Sequence, residues 1–556
     1  MTDREDDIAF ISTTINHVGN RTTTPLDRMK RLAEHNKEWD INDFELLSGW
    51  HYCKTDKDTG MPMIFTDFIT GVTVNKKGFR FELLDKNMNP IIMECIFDNA
   101  VGKAKKSGAT AMLKAVCQNT LPFHSHRNIT ARFDGGSLTS DAGWLLFGSL
   151  DRQHRLCEGF SSCISESRDQ RYVRHDLLKL IRQRVLQIVA GYEDCNDADT
   201  LRSDPMLKTV CDQLPESDPD LATQPTFSRL ENSVTKKDLM RLSRWLLGRY
   251  VRSLQKRRPA KIILDLDSTD DHTHSQQEFS FYHGYYRSHI LHPLLIFDAD
   301  TGDLVCAVLR PGNKGAASHI VPILKRVVEA IRQAVGTDVE IEIRADSGFA
   351  TPRLYEFCEC EENQLQYVIG LSRNPRLQRV VEPLLDSTRE RFLELEEKQR
   401  QFDEFLYRAN SWDRSRRVIV KVEVDQRGIN RRFVVTNRDD LCSQSLYDHY
   451  TNRGQTENFI KAFKNHLSMD RLSCHRFLAN QFRLLLHALA YQMFVRLRDY
   501  LHGTPWHKLE IETLRRRVLK IGARIRQTTR RIWVHLSSAF PEQPLFHLVL
   551  SRLNSS

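Results

Sequence analysis

The first convincing strand of the chain is KIILDLD, residues Lys261–Asp267. Its apolar run is continuous, which is typical of a strand that is buried on both faces of a sheet. Asp265 and Asp267 point to the same face because side chains alternate along a strand. We predict that Asp267 is the functional acid because it lies nearer to the strand end. Asp270 and Asp271 follow directly, so the choice among the acids of this stretch stays open.

Further strands and helices follow in an order that predicts one mixed sheet. The predicted strands lie at 291–297, 304–309, 339–346 and 366–371, and the predicted helices lie at about 317–335 and 352–360. The order is β-β-β-α-β-α-β, and it predicts an α/β fold with a ribonuclease-H-like core. Asp346 ends the fourth strand as Asp267 ends the first, and ligands of open α/β sheets bind in the crevice at strand ends.

A third candidate acid belongs to a predicted helix that contains the segment YTNRGQTE, Tyr450–Glu457. Each residue of an α-helix turns by about 100°, so Tyr450, Arg453, Glu457 and Lys464 fall within a sector of about 60°. One helix face then carries a phenol, two cations and a carboxylate. A carboxylate among cations that can hold phosphate suits metal-assisted phosphodiester chemistry.

The three acids Asp267, Asp346 and Glu457 are the candidate catalytic and metal-binding residues. Three carboxylates at one end of a sheet can hold two divalent ions about 3.5–4 Å apart. Hard oxygen ligands favour Mg²⁺ or Mn²⁺ over zinc. One ion would lower the pKa of an attacking water or 3′-hydroxyl, and the other would stabilise the leaving oxygen.

The composition indicates a protein of several globular domains. A chain of 556 residues with 40% hydrophobic and 28% charged residues is ordinary for a soluble protein of about two to four domains. No apolar run approaches the length of a membrane span, and the acidic first residues do not resemble a secretory signal. The twelve cysteines form no zinc pattern, which favours a reduced, cytoplasmic chain.

The net charge of +9 is concentrated near the C-terminal end. The segment 513–535 has eight cations and no acid, which suits binding to a polyanion. These cations are Arg515, Arg516, Arg517, Lys520, Arg524, Arg526, Arg530 and Arg531.

The remaining pattern divides the chain into regions. In the first of them we predict strands at 65–74 and 79–83 and a Lys-rich helix at about 100–117. Helices are also predicted from Ser140 or Asp141 onward, at 175–191, 236–255, 384–405, 445–467, 478–502 and 506–528, and further strands at 417–424 and 432–436. The predicted regions are an N-terminal extension at 1–118, a helical region at 119–257, the first part of the core at 258–371, a β-rich insertion at 372–438, the helix with the catalytic Glu at 439–470, and a helical basic region at 471–556.

Several motifs resemble the DDE transposases of the insertion sequence 4 superfamily. The four residues of the predicted helix face match its Y-R-E-K signature, and DST at 267–269 and RADSGF at 344–349 resemble its two aspartate motifs. Longer stretches are more similar to the insertion sequence 1380 family of bacterial transposases. These stretches are LDLDSTDD at 264–271, SFYHGYY at 280–286, VLRPGN at 308–313 and DRLSCHRF at 470–477, within a resemblance over about residues 121–556.

This resemblance implies strand cleavage at the ends of a mobile element and strand transfer into target DNA. It implies a metal-binding triad of Asp267, Asp346 and Glu457 with two Mg²⁺ or Mn²⁺ ions, a β-rich insertion, and flanking helical regions that bind DNA. The expected partners are double-stranded terminal inverted repeats and target DNA, bound by a homodimer in the bacterial cytoplasm at the nucleoid, with no membrane. The expected DNA contacts are Tyr450, Arg453, Lys464, Arg310, Asn313, Arg344, Arg515, Arg516, Arg517, Lys520 and Arg524.

Other interpretations stay open at this point. The protein is alternatively an inactive, transposase-derived repressor that binds DNA, or a ribonuclease-H-like nuclease without strand transfer. Residues 1–118 precede the resemblance, and they are either an added module or a fused reading frame. The aromatic residues between 279 and 286 either stack on bases or pack in the core; they are Phe279, Phe281, Tyr282, Tyr285 and Tyr286.

Overall fold

The computed structural model divides the chain into two compact units, Met1–Phe133 and Asp134–Ser556. This boundary lies beyond residue 118, where the sequence predicted the end of the first region. The structure describes residues 44–47, 52–54, 68–75, 78–84, 90–96, 120–121, 126–127, 129–131, 133–274 and 276–555.

The first unit contains an antiparallel five-stranded sheet in the order β2-β1-β3-β4-β5. Its strands are β1 Phe44–Leu47, β2 Tyr52–Lys54, β3 Phe68–Asn75, β4 Gly78–Leu84 and β5 Pro90–Ile96. The β3–β4 hairpin agrees with the two strands predicted there, whereas the helix predicted at 100–117 lies outside the described residues. Two further short strands, β6 Thr120–Leu121 and β7 Ile129–Thr130, pair with each other.

The second unit is a mixed α/β structure with a large sheet. Its strands are β8 Leu138–Thr139, β9 Lys261–Ser268, β10 Asp271–His272, β11 Phe281–His283, β12 Ser288–Leu291, β13 Leu294–Asp298, β14 Leu304–Val308, β15 Glu340–Ala345, β16 Gln366–Leu371, β17 Gln399–Tyr407, β18 Arg416–Asp425, β19 Gly428–Thr436, β20 Ala523–Gln527 and β21 Ile532–Leu536.

Helices cover both ends of this unit and connect its strands. They are α1 Trp144–His154, α2 Leu156–Ser161, α3 Leu177–Ala190, α4 Asp197–Leu201, α5 Pro205–Val210, α6 Gln224–Ser233, α7 Lys236–Arg257, α8 Ile320–Val335, α9 Pro352–Glu359, α10 Pro375–Val380, α11 Glu382–Leu395, α12 Ser443–Thr451, α13 Gly454–Lys461, α14 Phe477–Asp499, α15 Ile511–Leu514 and α16 Gln543–Asn554. None of the helices in the described ranges is both long enough and apolar enough to cross a membrane.

The large sheet has eight strands in the order β14-β13-β9-β15-β16-β19-β18-β17. Strand β9 is antiparallel to β13 and parallel to β15, and β15 is parallel to β16. Because Leu266 of β9 pairs with Ala345 of β15, Asp267 and Asp346 follow at the same edge of the sheet. The predicted strand order therefore places two of the candidate acids side by side.

Strands β17, β18 and β19, predicted as part of an insertion, continue this sheet because β19 pairs with β16. The helix predicted at 384–405 is correct only as far as α11. Its second half is β17, whose nine residues all pair with β18. The charged composition of this stretch favoured a helix, but tertiary pairing overrides such local preference.

The N-terminal and C-terminal helical regions share one core around α14. This helix is buried along most of its length, and its buried polar side chains, such as Asn480, Arg483 and His487, bond to other groups of the unit. Helices α1, α2, α3, α6 and α7 pack against it. The regions 119–257 and 471–556, predicted as separate flanks, are therefore joined by a common set of buried side chains.

Two predicted helix boundaries in these regions are wrong. The helix predicted from Ser140 or Asp141 begins instead at Trp144, with Gly143 as its N-cap, and the residues before it form β8. The helix predicted at 506–528 stops after a π-helical turn at Arg515–Leu519, and β20 follows. Strand β20 pairs with both β21 and β8, which lies far away in the sequence.

Candidate active site

Asp267 lies at the end of β9 and is 8% exposed. Its Oδ1 accepts a hydrogen bond from the backbone N–H of Ser268 at 2.7 Å, and its Oδ2 accepts one from Nη2 of Arg453 at 2.8 Å. Burial raises the pKa of Asp267 to about 6. The Arg453 guanidinium opposes this effect, while the nearby carboxylates Asp346 and Glu457 add to it. The charged form of Asp267 is therefore destabilised, and a bound cation or a proton would stabilise this side chain.

Asp346 directly follows β15 and begins a short 3₁₀ turn, Ser347–Phe349. Its Oδ1 accepts a hydrogen bond from the backbone N–H of Gly348 at 2.9 Å, which fixes the carboxylate at the start of the turn. A Cβ atom at Gly348 would lie 2.9 Å from the Cβ of Ala316 and 3.1 Å from Asp346 Oδ1. The turn therefore uses Asp346 as its N-cap, and it leaves little room for a side chain at position 348.

Glu457 lies in the first turn of α13, and its side chain is 64% exposed. Its Oε1 accepts a hydrogen bond from Nη1 of Arg453 at 2.9 Å, so one guanidinium bridges Glu457 and Asp267. The helix predicted at 445–467 is broken, because α12 ends at Thr451 and α13 begins at Gly454. Arg453 lies between the two helices with helical dihedral angles, and its side chain reaches both acids.

A buried ion pair fixes the strands and the helix of the site. Asp265 accepts two hydrogen bonds from Arg344, at 2.6 Å from Nε and 2.7 Å from Nη2, and both side chains are buried. The hydroxyl of Thr456 also donates to Asp265, and Arg344 Nη1 donates to the carbonyl of His449 at 3.0 Å. This group connects β9, β15, α12 and α13, so Asp265 has a structural role and Asp267 is the acid that faces the other two.

Tyr450 lies near Asp346, and Lys464 holds Asp270, three residues after Asp267. Nζ of Lys464 donates to Oδ1 of Asp270 at 2.9 Å and to its carbonyl at 3.0 Å, from a π-helical turn at Ala462–His466. Tyr450 packs over β16, where a Cβ atom at Gly370 would lie 2.6 Å from Tyr450 Oη. Burial raises the pKa of Tyr450, so its hydroxyl keeps its proton and can donate.

Three of the cations predicted to contact DNA are buried and held by other groups. Arg310 donates to the carbonyls of His292 at 3.0 Å and Ala316 at 2.6 Å, and burial lowers its pKa to about 10. Arg344 holds Asp265 as described above. Arg515 donates to the carbonyl of Val189 at 2.9 Å and pairs with Glu512. Each of them organises the chain around it.

The other predicted DNA contacts are more accessible. Asn313 is exposed in the loop after β14, and Arg516 is 69% exposed, with Glu512 at 3.8 Å. Arg517 lies 3.4 Å from Glu542, and Lys520 pairs with the buried Asp141 at 2.6 Å. The segment 513–535 has no acid of its own, but its first cations lie near acids from outside the segment. Arg524, which comes later in the segment, is exposed.

The aromatic stretch lies in and beside the β11–β12 hairpin. Tyr286 is half-buried; burial raises its pKa to about 12, with smaller effects from Asp270 and Asp267. The hairpin therefore lies on the side of the site where Lys464 holds Asp270. The alternative that this aromatic stretch packs in the core is not supported, because four of its five rings are exposed. These rings belong to Phe279, Phe281, Tyr282 and Tyr285.

Sequence reasoning missed the residues that position the site. Thr456 and Gly370 gave no separate signal, although Thr456 stands next to Glu457 inside the quoted motif. Glu342 of β15 is also buried and is paired with Lys261, His449 and Arg438. The position of Glu342 in a predicted buried strand indicated that a basic partner lies nearby, because ionised side chains are rarely buried alone.

The carboxylates fit divalent cations in their chemistry. They supply hard oxygen donors, and a bound cation would offset the burial and the neighbouring carboxylates that together raise the pKa of Asp267. Among the residues that the structure describes, however, no three Asp, Glu, His or Cys side chains are close enough to hold one ion together. Arg453 accounts for part of this, because it is bonded to oxygens of two of the three acids.

Comparison with known proteins identifies the family to which the chain belongs. No curated protein matches the chain. One solved structure that is similar to it is a cryo-EM structure of a piggyBac transposase synaptic complex with hairpin DNA, with 12% sequence identity and a TM-score of 0.38. That match covers 68% of this chain and 79% of the other. The family model described as Transposase DDE domain group 1 matches residues 121–556, which include all three candidate acids. The chain therefore belongs to this family of DDE transposases.

Proposed function

We propose that this protein is a bacterial transposase of the insertion sequence 1380 family that cleaves DNA strands at the ends of its element and transfers them into target DNA. The observation that carries the proposal is that Asp267 and Asp346 lie at the ends of neighbouring strands, while Arg453 bonds both Asp267 and Glu457. Such an arrangement of acids and cations suits phosphodiester chemistry.

We also propose that the core is ribonuclease-H-like. Strands β9, β13, β14, β15 and β16 would be strands one to five of that fold. Their neighbour order is three-two-one-four-five, with the first three antiparallel and the last two parallel to the first. The first acid follows the first strand and the second follows the fourth, which supports the proposal.

In this proposal Asp267, Asp346 and Glu457 would hold two Mg²⁺ or Mn²⁺ ions. When bound, such ions activate an attacking water or 3′-hydroxyl and stabilise the leaving oxygen. Arg453 would release at least one of its two carboxylate bonds and donate to a phosphate oxygen of the scissile strand. Lys464 would add a second positive charge there, and the Tyr450 hydroxyl would donate a hydrogen bond. These donors would neutralise charge that develops on the pentavalent phosphorus.

The proposed partners are the terminal inverted repeats and the target DNA, both double-stranded, held by a homodimer at the nucleoid in the cytoplasm. The more accessible residues among the expected contacts remain in the proposal; Asn313, Arg516 and Arg524 are exposed, and Arg517 and Lys520 are partly exposed. Arg310, Arg344 and Arg515 are left out because their guanidinium groups are buried and bonded within the chain.

The test is DNA cleavage by a Glu457→Ala variant. A plasmid that carries the DNA flanking the gene is incubated with the protein and Mg²⁺ or Mn²⁺. We expect Glu457→Ala to abolish nicking and to leave binding to the same DNA intact. Glu329→Ala, on the exposed side of α8, is the matched control and should cleave normally.

Other outcomes would replace the proposal with one of its alternatives. Retained nicking by Glu457→Ala would refute the assignment of the third acid. Nicking without any joined products in the wild type would indicate a nuclease without strand transfer. Binding without any nicking would indicate a transposase-derived repressor.

A further inference from the structure

The hairpin of β20 and β21 has one buried face and one exposed face. Residues alternate along both strands, and the buried face contains Ala523 and Ile525, which pack in the main core with half-buried residues of β21. The sequence predicted a helix through β20, and in a helix these exposed side chains would point in different directions around the axis. As strands, they stand together on one surface.

Two cross-strand rows make up this exposed surface, which we call the basic ribbon face. In the first row, Arg524 pairs with His535 on one side and with Leu138 of β8 on the other. In the second row, Arg526 pairs with Trp533. The rings of Trp533 and His535 stack at 6.3 Å with an interplanar angle of 14°. Trp533 remains 46% exposed despite its size.

The charges of the basic ribbon face have no acidic partner among the residues that the structure describes. Arg516, Arg517 and Lys520, which precede the hairpin, each lie near an acid. By contrast, Arg524 and Arg526 form no salt bridge within the described ranges. Glu216 contacts the last residue of β20, where it accepts a hydrogen bond from the backbone N–H of Gln527 at 3.4 Å.

The turn that joins the two strands adds further positive charge. The exposed Arg530 lies in this turn, and Arg531 lies over the ring of Trp533 at 5.8 Å. The hydroxyl of Thr528 accepts a hydrogen bond from the Arg531 backbone N–H at 3.1 Å, which closes the turn. Cations therefore continue along the ribbon to its tip.

The dimensions of the ribbon match those of a DNA groove. Arg524 and Arg526 are two residues apart on a strand, a separation of about 7 Å, which is about two base-pair steps of B-DNA. Paired strands lie about 4.8 Å apart, and the major groove is about 12 Å wide, so a two-stranded ribbon with its side chains fits into it.

We propose that the basic ribbon face binds a DNA duplex, with β20 and β21 lying in the major groove. Arg524, Arg526 and Arg530 contact phosphates or the base edges along the groove, and Trp533 makes the apolar contact between them. This inference rests on the proposed function for its ligand, since the duplex is the end of the element. It adds a binding element that is distant in sequence from the catalytic residues and requires no catalysis.

The experiment measures duplex binding by the full-length protein in EDTA at NaCl concentrations from 50 to 200 mM. The probes are a 30-base-pair duplex from the DNA flanking the gene and the single strand of the same sequence. The variants are the double substitution Arg524→Gln with Arg526→Gln, and the single substitutions Trp533→Ala and Trp533→Phe. The matched control removes two exposed cations from α8, as Lys325→Gln with Arg326→Gln.

If each arginine contacts one phosphate, the slope of log affinity against log salt is less steep by about 1.8 in the double variant than in wild type. Its affinity deficit relative to wild type then shrinks about 12-fold between 50 and 200 mM NaCl. We expect Trp533→Ala to weaken binding with an unchanged slope and Trp533→Phe to restore most of the affinity. The control should have the wild-type slope, and all variants should melt as the wild type does.

Two results would overturn the inference. One is a wild-type salt slope in the double variant, and the other is equal or tighter binding of the single strand through the same residues. Failure of the proposed function is distinguishable from either of them. It would appear as an absence of nicking in a protein that still binds the duplex with the wild-type slope.

Discussion

Replacing Asp267 by Asn should stabilise the protein when no metal is present, and the gain should depend on pH. Burial raises the pKa of Asp267 from 3.8 to about 6, so the folded protein binds a proton that the unfolded chain has already released. Stability from this group is therefore present at low pH and is lost as pH rises through 6. Above pH 6 the folded protein holds a buried carboxylate at a cost of about 3 kcal/mol, at 1.36 kcal/mol per pH unit.

Asp267→Asn removes this cost and can keep one of the two hydrogen bonds, because an amide has a single acceptor oxygen. The amide oxygen can still accept from Arg453, and Glu457 continues to hold the same guanidinium. The variant should be more stable than wild type by about 3 kcal/mol at pH 8 and by about half of that at pH 5. In a unit as large as Asp134–Ser556, about 3 kcal/mol corresponds to about 3 °C in the unfolding temperature.

Differential scanning calorimetry in EDTA at pH 5, 6, 7 and 8 measures this difference. Asp338→Asn, at an exposed site, is the matched control and should follow wild type at every pH. The reasoning is refuted if Asp267→Asn melts at or below the wild-type temperature at pH 8, or if its gain is the same at pH 5 and pH 8.

Three further perturbations test other parts of the site. Mn²⁺ at about 100 times its Kd should stabilise wild type by about 2.7 kcal/mol in calorimetry, reversibly with EDTA, and should stabilise Asp346→Asn much less because a ligand is lost. Arg344→Met should lower the free energy of unfolding in urea by about 3–5 kcal/mol, because it leaves Asp265 as a buried charge without its partner. Gly370→Ala should lower the rate of DNA nicking and cost about 1–3 kcal/mol of stability, because its methyl group would meet Tyr450 Oη at 2.6 Å.

Each of these perturbations has a control and a contrary result. Equal stabilisation of Asp346→Asn by Mn²⁺ would place the ion elsewhere. Joint replacement, as Asp265→Leu with Arg344→Met, should recover stability relative to Arg344→Met alone, and no recovery would contradict the ion-pair argument. Gly315→Ala has open space around the added methyl group and should behave as wild type, so an equal loss there would show that the effect is not local to Tyr450.

The strands that bear the first two acids could be predicted closely from the sequence. The prediction placed them at 261–267 and 339–346, and the structure has them at Lys261–Ser268 and Glu340–Ala345. The first strand is a continuous apolar run and the second alternates apolar and polar residues, and each pattern stops at its acid. Both the strands and the positions where they end could therefore be predicted, and the acids at those ends were identified from the same pattern.

The links between the acids could not be predicted in the same way. The intervals between Tyr450, Arg453, Glu457 and Lys464 indicated one continuous helix face. The structure instead has two helices joined at Asn452–Arg453, which keep helical dihedral angles, and a π-helical turn that carries Lys464. The side chains still border one site, since Arg453 reaches Asp267 and Lys464 reaches Asp270. Helical spacing identified the right residues, but the bonds depend on tertiary contacts that no local pattern encodes.

The C-terminal strands were missed for a related reason. Residues 523–527 have a polar and apolar alternation that is only five residues long, and the run of cations before them favours a helix. The partner that stabilises the strand on one side, β8, precedes it by most of the length of the unit. Pairing at such separation leaves no signal in a local window.

The pairing of β8 with β20 also bears on when this protein can complete its fold during synthesis. Thr139, near the start of the second unit, is opposite Ala523, so one strand must wait for the other to leave the ribosome. At about 5–20 residues per second, about 380 residues take about 20–80 s to emerge. During that interval the edge of β8 and the apolar side of the future hairpin lack their partners, which makes the nascent chain a natural client for chaperones. The three-stranded sheet of β8, β20 and β21 is thus completed only after Ala523 and the residues that follow it have been synthesised.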